Sequence, residues 1–270
     1  MEGKILKKVI DTAYQAGEAA LSFYNKDYEV RDKGGDSPLT QADLESNRII
    51  LEGLSEYGYG ILSEEKEDDL ERLNQKRVWI VDPLDGTKDF IHQTGEFAVM
   101  IGLVEKKENG YRPILGVVYL PAVDTFYYAL EGKGAFKKAG NREEKKIQVS
   151  SPEEFNQFRL VGSRFHSSEL EEKLFQKLGF REKVPCGSVG VKACTIAEGK
   201  AELNINPSDK TWEWDICAPE IILQEAGGIL TDLEGKQFSY NKKDPRNQKG
   251  YVASNGIKQG EIIRVVNGKR

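Results

Sequence analysis

A chain of 270 residues with a net charge of −5 and 31% charged residues can bury a substantial core, as one large domain or two modest ones. Acids and bases are mixed throughout, so no basic block marks a nucleic acid polymer as partner, and no apolar run is long enough to insert in a membrane. The composition predicts a soluble, cytoplasmic protein. Its cysteines, Cys186, Cys194 and Cys217, are odd in number and form no CxxC pair, which predicts buried reduced thiols.

Ile5, Leu6, Val9, Ile10, Ala13, Ala16, Ala20, Leu21 and Tyr24 recur at helical spacing and predict an opening amphipathic helix. The loop DKGGDSPLT, which contains Lys33, follows. Thr40, with Asp43 three residues later, has the form of a capping box, and Leu44, Ile50, Leu51 and Leu54 supply the stripe of a second helix. GILSE (60–64) and VWIVD (78–82) read as strands that both end in acid, and EKEDDLERLNQKR between them as a solvated segment. FAVMIGLVE, RPILGVVYL and DTFYYAL, divided by turn signals such as Glu108-Asn109-Gly110, predict an antiparallel meander.

Around Ser150 the pattern changes. RLVGSR reads as a strand, SSELEEKLFQKLG and SVGVKACTIAEG as helices, AELNI as a strand, WDICAPEIILQEAGG as a helix and ILTDL as a strand. This predicts an α+β half over residues 1–150 and an α/β half over 151–270. No linker separates them, so they should pack closely.

The segment DPLDGTKDF (82–90) carries the chemistry. Asp82 ends its strand, Pro83 favours leaving the sheet, and Asp85 follows, so both carboxylates can turn to one point. The amides of Gly86 and Thr87 offer an anion site. Acids beside a phosphate need cations between them, and Mg²⁺ is commonly held by a few carboxylates plus phosphate oxygens. Asp-Pro and Asp-Gly are also ordinary turn pairs. Glu64 and Glu65 end the earlier strand, and Asp215 starts a later helix, where it could equally be only an N-cap with Pro219 in the tolerant first turn.

LSEE (62–65), DPLDGTKDF (82–90) and WDICAPEIILQEAGG (214–228) resemble, in order and spacing, the signature segments of the inositol monophosphatase superfamily of Mg²⁺-dependent, lithium-sensitive phosphatases. The resemblance covers nearly the whole chain. It implies a layered αβαβα sandwich of α+β and α/β type, in which residues 1–150 carry most metal ligands and residues 151–270 contribute Asp215 and substrate contacts. Glu64, Asp82 and the Leu84 carbonyl would bind one Mg²⁺, and Asp82, Asp85 and Asp215 a second. A looser ion would sit near Glu64. Thr87, oriented by Asp43, would position and deprotonate the attacking water, while Gly86 and Thr87 hold phosphate.

DGTKDF, GEFAVMIGLV, GSRFHSSE, GSVGVKACTIAEGKAEL and WDICAPE are similar to the 3'(2'),5'-bisphosphate nucleotidases within that superfamily. Those enzymes remove the 3'-phosphate of 3'-phosphoadenosine 5'-phosphate. The implied partner is thus a small phosphorylated nucleotide, and a homodimer is part of the expectation. Leu84, Asp85, Gly86, Thr87 and Asp215 would touch substrate, with Arg164, His166, Gly187, Ser188 and Lys192 as candidates for its second phosphate and nucleoside. Where that family commonly has Ser-Arg-Ser-His, this chain has Ser163-Arg164-Phe165-His166. Trp79, Trp212 and Trp214 read as packing residues.

Inositol monophosphatase or fructose-1,6-bisphosphatase activity is the nearest alternative, since the metal core is shared. A haloacid-dehalogenase-type phosphatase would show Asp-x-Asp-Gly-Thr, and here an extra residue intervenes. A non-catalytic divalent-ion module has no use for Thr87 paired with Asp43 and lacks EF-hand spacing.

Overall fold

The structure, a computed structural model, describes residues 2–24, 30–32, 38–164 and 168–268. The first half begins with helix α1 (Glu2–Leu21), a small pair of strands β1 (Val30–Asp32) and β2 (Pro38–Thr40), and helix α2 (Gln41–Leu54). Strands β3 (Gly60–Ser63) and β4 (Arg77–Asp85), the short helix α3 (Thr87–Ile91), and strands β5 (Ala98–Lys107), β6 (Gly110–Leu120), β7 (Thr125–Leu130), β8 (Gly134–Ala139) and β9 (Lys145–Ile147) follow. Strands β3 to β9 form one sheet in sequence order. Only β3 and β4 pair in parallel, and the rest is the expected meander.

The second half supplies β10 (Arg159–Ser163), α4 (Glu169–Leu178), β11 (Glu182–Cys186), α5 (Val189–Ala197), β12 (Leu203–Asn206), β13 (Thr211–Trp212), α6 (Glu213–Glu225), β14 (Ile229–Thr231), β15 (Arg246–Asn247), β16 (Tyr251–Ser254) and α7 (Gln259–Val266). Five of these strands form a second sheet in the order β11-β10-β12-β16-β14.

Alternation along β4 decides the layers. Trp79 and Val81 pack with Ile5, Val9, Ala13 and Ile50 of α1 and α2. Val78 and Ile80 face the other way, against Ile216, Cys217 and Ile221 of α6. Beyond α5 and α6 lies the second sheet, through Val161, Leu230 and Ala253, and α4 and α7 close its far side through Leu174 and Ile262. The result is the expected αβαβα sandwich. Asp82 shares the parity of Val78 and Ile80, so its side chain stands on the face that meets α6.

That meeting is close because the sheet is bare beneath the helix. Gly102 and Gly116 are cross-strand partners. A Cβ on Gly102 would lie 2.5 Å from Cys217 Sγ, and one on Gly116 would lie 2.6 Å from the Ala218 carbonyl oxygen. All three cysteines are buried and unbridged, as expected. Trp79 is a core residue, and Trp212 and Trp214 stack on each other at 5.9 Å.

Two local expectations are overturned. The charged run 65–77 is not simply solvated, because it folds into a 3₁₀ turn at Glu71–Asn74 and buries Arg72 almost completely. An arginine can be buried there because Asp68, Asn241 Oδ1 and the Lys242 carbonyl accept from its guanidinium. Pro219 does not lie in the first turn of α6 but is its seventh residue, so the helix loses the N–H that would have bonded to the Asp215 carbonyl.

Glu220 lies in the middle of α6, fully covered by the two sheets. Tyr240 donates its hydroxyl to it, and Gln224 Nε2 donates at 2.7 Å, yet burial pushes the carboxyl up to about 7. The folded protein therefore holds this proton more tightly than the unfolded chain, and stability falls as pH rises from about 4.5 through 7. Glu220→Gln removes that cost, which is about 3 kcal/mol. In urea titrations at pH 5 and pH 8, the variant should lose about that much less stability between the two than the wild type. Equal losses would show that Glu220 does not titrate in this range. Glu213, pushed up to about 7 by its own burial, keeps part of the slope in both proteins.

Candidate active site

The ends of β3 and β4, the start of α6 and the start of α5 converge between the two sheets. Glu64 follows β3, its N–H donating to the Val81 carbonyl at 3.2 Å. Asp82 and Asp85 flank a register shift inside β4, so the strand does not end at Asp82 as its sequence suggested but resumes pairing with Asp85 opposite Ala98. This shift is local, and Pro83 is held across it by Ser46 of α2, which donates to its carbonyl at 2.7 Å. Asp215 sits in the first turn of α6 and accepts the Trp212 N–H at 2.7 Å.

These acids feel one another. Burial pushes the Asp82 carboxyl well up, and Glu64, Asp85 and Asp215 push it further by repulsion. Asp215 is raised by burial, then by Asp85 and Glu64. Asp85 is raised by burial but checked by its donors: Ser188 gives its hydroxyl, the Gly190 N–H donates at 2.8 Å, and the Lys192 charge lies near. Each aspartate thus has one oxygen fixed by a protein donor, Asp82 by the Leu84 N–H at 3.0 Å.

Among the described residues, no three His, Cys, Asp or Glu side chains stand together as an ion cage of their own. A hard divalent cation reconciles the electrostatics with this geometry, because such an ion fills part of its shell with water and substrate oxygens and the carboxylates need not close on it as a cage. The donor set of buried, mutually repelling carboxylates fits such a hard cation.

Thr87 opens α3, after Gly86 in the left-handed region at φ 87°. Its hydroxyl lies 3.4 Å from Asp43 Oδ1 and 3.3 Å from the Leu84 carbonyl. Asp43 serves the capping box with its other oxygen, accepting from the Thr40 N–H at 2.8 Å and the Thr40 hydroxyl at 2.5 Å. Capping and contact with Thr87 coexist, one oxygen to each.

The substrate candidates fall into two groups. Lys192, buried on α5, donates Nζ to the Gly187 carbonyl at 2.6 Å, and its charge lowers both Asp85 and Asp215. Ser188 is engaged with Asp85 and caps α5 by accepting from the Val191 N–H. Gly187 has no room for a side chain, since a Cβ would lie 2.1 Å from the Asp89 carboxylate. Arg164 is paired with Glu96 at 2.7 Å and lies 4.0 Å from Asp89. His166 and Lys33 lie outside the described residues.

Glu96 was not anticipated. It accepts from Arg164 and, through its second oxygen, from the Gly187 N–H at 2.7 Å, so it ties the two halves together beside the acid cluster. Its only sequence signal is an acid between Gly95 and Phe97 just before a strand.

Comparison with known proteins places this geometry. The inositol monophosphatase family pattern matches residues 2–269. The 3'(2'),5'-bisphosphate nucleotidase CysQ of Aggregatibacter actinomycetemcomitans is 36% identical over 245 residues, covering 89% of this chain and 88% of that protein. The Escherichia coli (strain K12) protein of the same name is 35% identical over 258 residues, 93% of this chain and 99% of its own. Among solved structures, CysQ from Bacteroides thetaiotaomicron superposes with a TM-score of 0.78 at 33% identity, covering 93% of this chain and 97% of that one. The Thermotoga maritima IMPase superposes at 0.81 with 27% identity, covering 99% and 98%. With the pattern running end to end and the relatives alike over nearly their full lengths, this chain belongs to the inositol monophosphatase family.

Proposed function

We propose that this chain is a 3'(2'),5'-bisphosphate nucleotidase that removes the 3'-phosphate of 3'-phosphoadenosine 5'-phosphate with Mg²⁺, leaving AMP and phosphate. The observation that carries the reading is the cluster of buried Asp82 and Asp85 with half-buried Glu64 and Asp215, beside the Thr87–Asp43 pair, in a chain about one-third identical to CysQ relatives over nearly its whole length. Glu64, Asp82 and the Leu84 carbonyl would hold one ion, Asp82, Asp85 and Asp215 a second, and Glu64 would help hold a looser third. When bound, such ions polarise the phosphoryl group, lower the pKa of water and neutralise the leaving oxygen.

The protein's own groups do the rest. The Gly86 and Thr87 amides at the start of α3 bind phosphate oxygens and set the phosphorus in line with the attacking water. The water passes a proton to Thr87 Oγ1 as the Thr87 hydroxyl passes its own to Asp43 Oδ1. The 3.4 Å between them is of the kind that shortens when substrate is bound. Water forms the new P–O bond and the 3'-oxygen leaves, so no phospho-aspartate arises. Lys192, Ser188 and Gly187 support the nucleotide side of the site, with Arg164 and His166 as further contacts to its second phosphate.

The reading includes the two-part division at residue 150, a homodimer and cytoplasmic location. Unbridged thiols support the last, and among the described residues no helix is long and apolar enough to cross a membrane. The deciding experiment compares kcat/KM for 3'-phosphoadenosine 5'-phosphate, inositol 1-phosphate and fructose 1,6-bisphosphate with Mg²⁺. The nucleotide should lead by at least about a hundredfold, because a site built for polar groups rejects ligands that lack them. A lead for either sugar phosphate would overturn the reading.

A further inference from the structure

Arg72 lies between the two acid-bearing strands β3 and β4 in the chain, and its side chain reaches the turn at Asn241 and Lys242 that bonds to the start of α6. Asp68 holds the guanidinium through two oxygens, at 3.0 and 2.6 Å. The remaining donors go to Asn241 Oδ1 at 2.6 Å and to the Lys242 carbonyl at 2.9 Å. Asn241 answers with Nδ2 to the Arg72 carbonyl at 3.1 Å. The same turn presents two successive amides to Glu213, Asn241 N–H at 2.7 Å and Lys242 N–H at 2.9 Å. Arg72, Asn241 and Glu213 are all more than nine-tenths buried.

Both ends of this chain of bonds touch elements that carry the site acids. Arg72 packs on the start of β3, where a Cβ on Gly60 would lie 2.7 Å from Arg72 Cβ, and β3 runs directly into Glu64. Glu213 is the first residue of α6, two before Asp215. Asp215 accepts from Trp212 in its own turn, so its distance from the strand ends depends on where α6 begins. Asn241 holds the left-handed conformation, φ 54°, which costs a non-glycine residue energy and persists where surrounding bonds over-determine it.

We propose that Arg72 is a positioning residue for the acid site: through Asn241 and Glu213 it sets the start of α6, and with it Asp215, against the strand ends that carry Glu64 and Asp82. This rests on the reading of those acids as ligands of divalent ions. Groups that orient ligands without touching the ion commonly matter about 10- to 100-fold in affinity.

Asn241→Gly is the cleaner test, because glycine accepts the left-handed backbone and keeps the amide that serves Glu213 while the link to Arg72 is lost. Arg72→Lys, which keeps the charge but not the fork, is the second variant. Calorimetric titration of the full chain with Mg²⁺ alone, and thermal melting without metal, are measured for both. The expected result is Mg²⁺ binding weakened about tenfold or more in each, with the Mg²⁺ concentration for half-maximal activity shifted in step. Unchanged Mg²⁺ affinity, whatever happens to the melting temperature, would make the network a stabilising contact only and overturn the proposal. A flat titration of the wild-type protein would overturn the metal reading itself, and this inference with it.

Discussion

Asp82→Asn should lower kcat/KM by roughly three decades or more. In the proposed site Asp82 is the acid shared by both ions, and it stands on the β4 face that meets α6, with one oxygen fixed by the Leu84 N–H. The amide keeps that bond and the side-chain volume but removes the negative charge at the centre of the cluster. Folding should not suffer. Burial and three like charges push this carboxyl up, so its ionised form opposes folding, and a neutral amide relieves the repulsion. Thermal melts with a chelator present should show the variant at least as stable as wild type, while steady-state rates collapse at every Mg²⁺ concentration. Near-normal turnover in the variant would falsify the shared-ligand role.

Thr87→Ala and Asp43→Asn should each cut kcat by about 10²–10⁴, the range for a lost proton-transfer partner, with little change in KM. The double variant should be barely worse than either single, because residues that act as a unit are non-additive. Losses that multiply would separate the two residues. The capping role of Asp43 needs its own control, since Thr40 donates to the oxygen that Thr87 does not use. Thr40→Ala should cost about 1 kcal/mol of stability yet leave most of the turnover. If Thr40→Ala instead matched Asp43→Asn in activity, capping would explain both.

Much of this site could be read from local sequence because its chemistry sits at chain punctuation. VWIVD and GILSE announce buried strands, and the acids stand where those apolar runs stop. The capping box at Thr40 is a four-residue pattern that tolerates little else. Arg72 shows the opposite case. Its neighbours are charged, so the run looks solvated, and although Asp68 is local, the acceptors that complete its burial are Asn241 and Lys242, 169 and 170 residues away. The hold of Ser188 on Asp85 spans 103 residues and leaves no local trace either. Strand β11, the polar EKVPC at a sheet edge, and the short β16 carry too little alternation to stand out. The helix α6 lies between two sheets, so its apolar residues surround it and its one proline reads as a start signal.

The bare patch under α6 makes the protein its own reporter of opening. Cys217 sits against Gly102 with no path for a reagent, and burial pushes its thiol well up, so it should be inert while the layers stay together. With a reagent that reacts faster than the layers reclose, modification of Cys217 should therefore proceed at the rate at which α6 lifts from the sheet. Trapping by a thiol reagent then becomes a stopwatch for that separation, and slowing of the trapping by Mg²⁺ would measure how far ion binding clamps the sandwich shut.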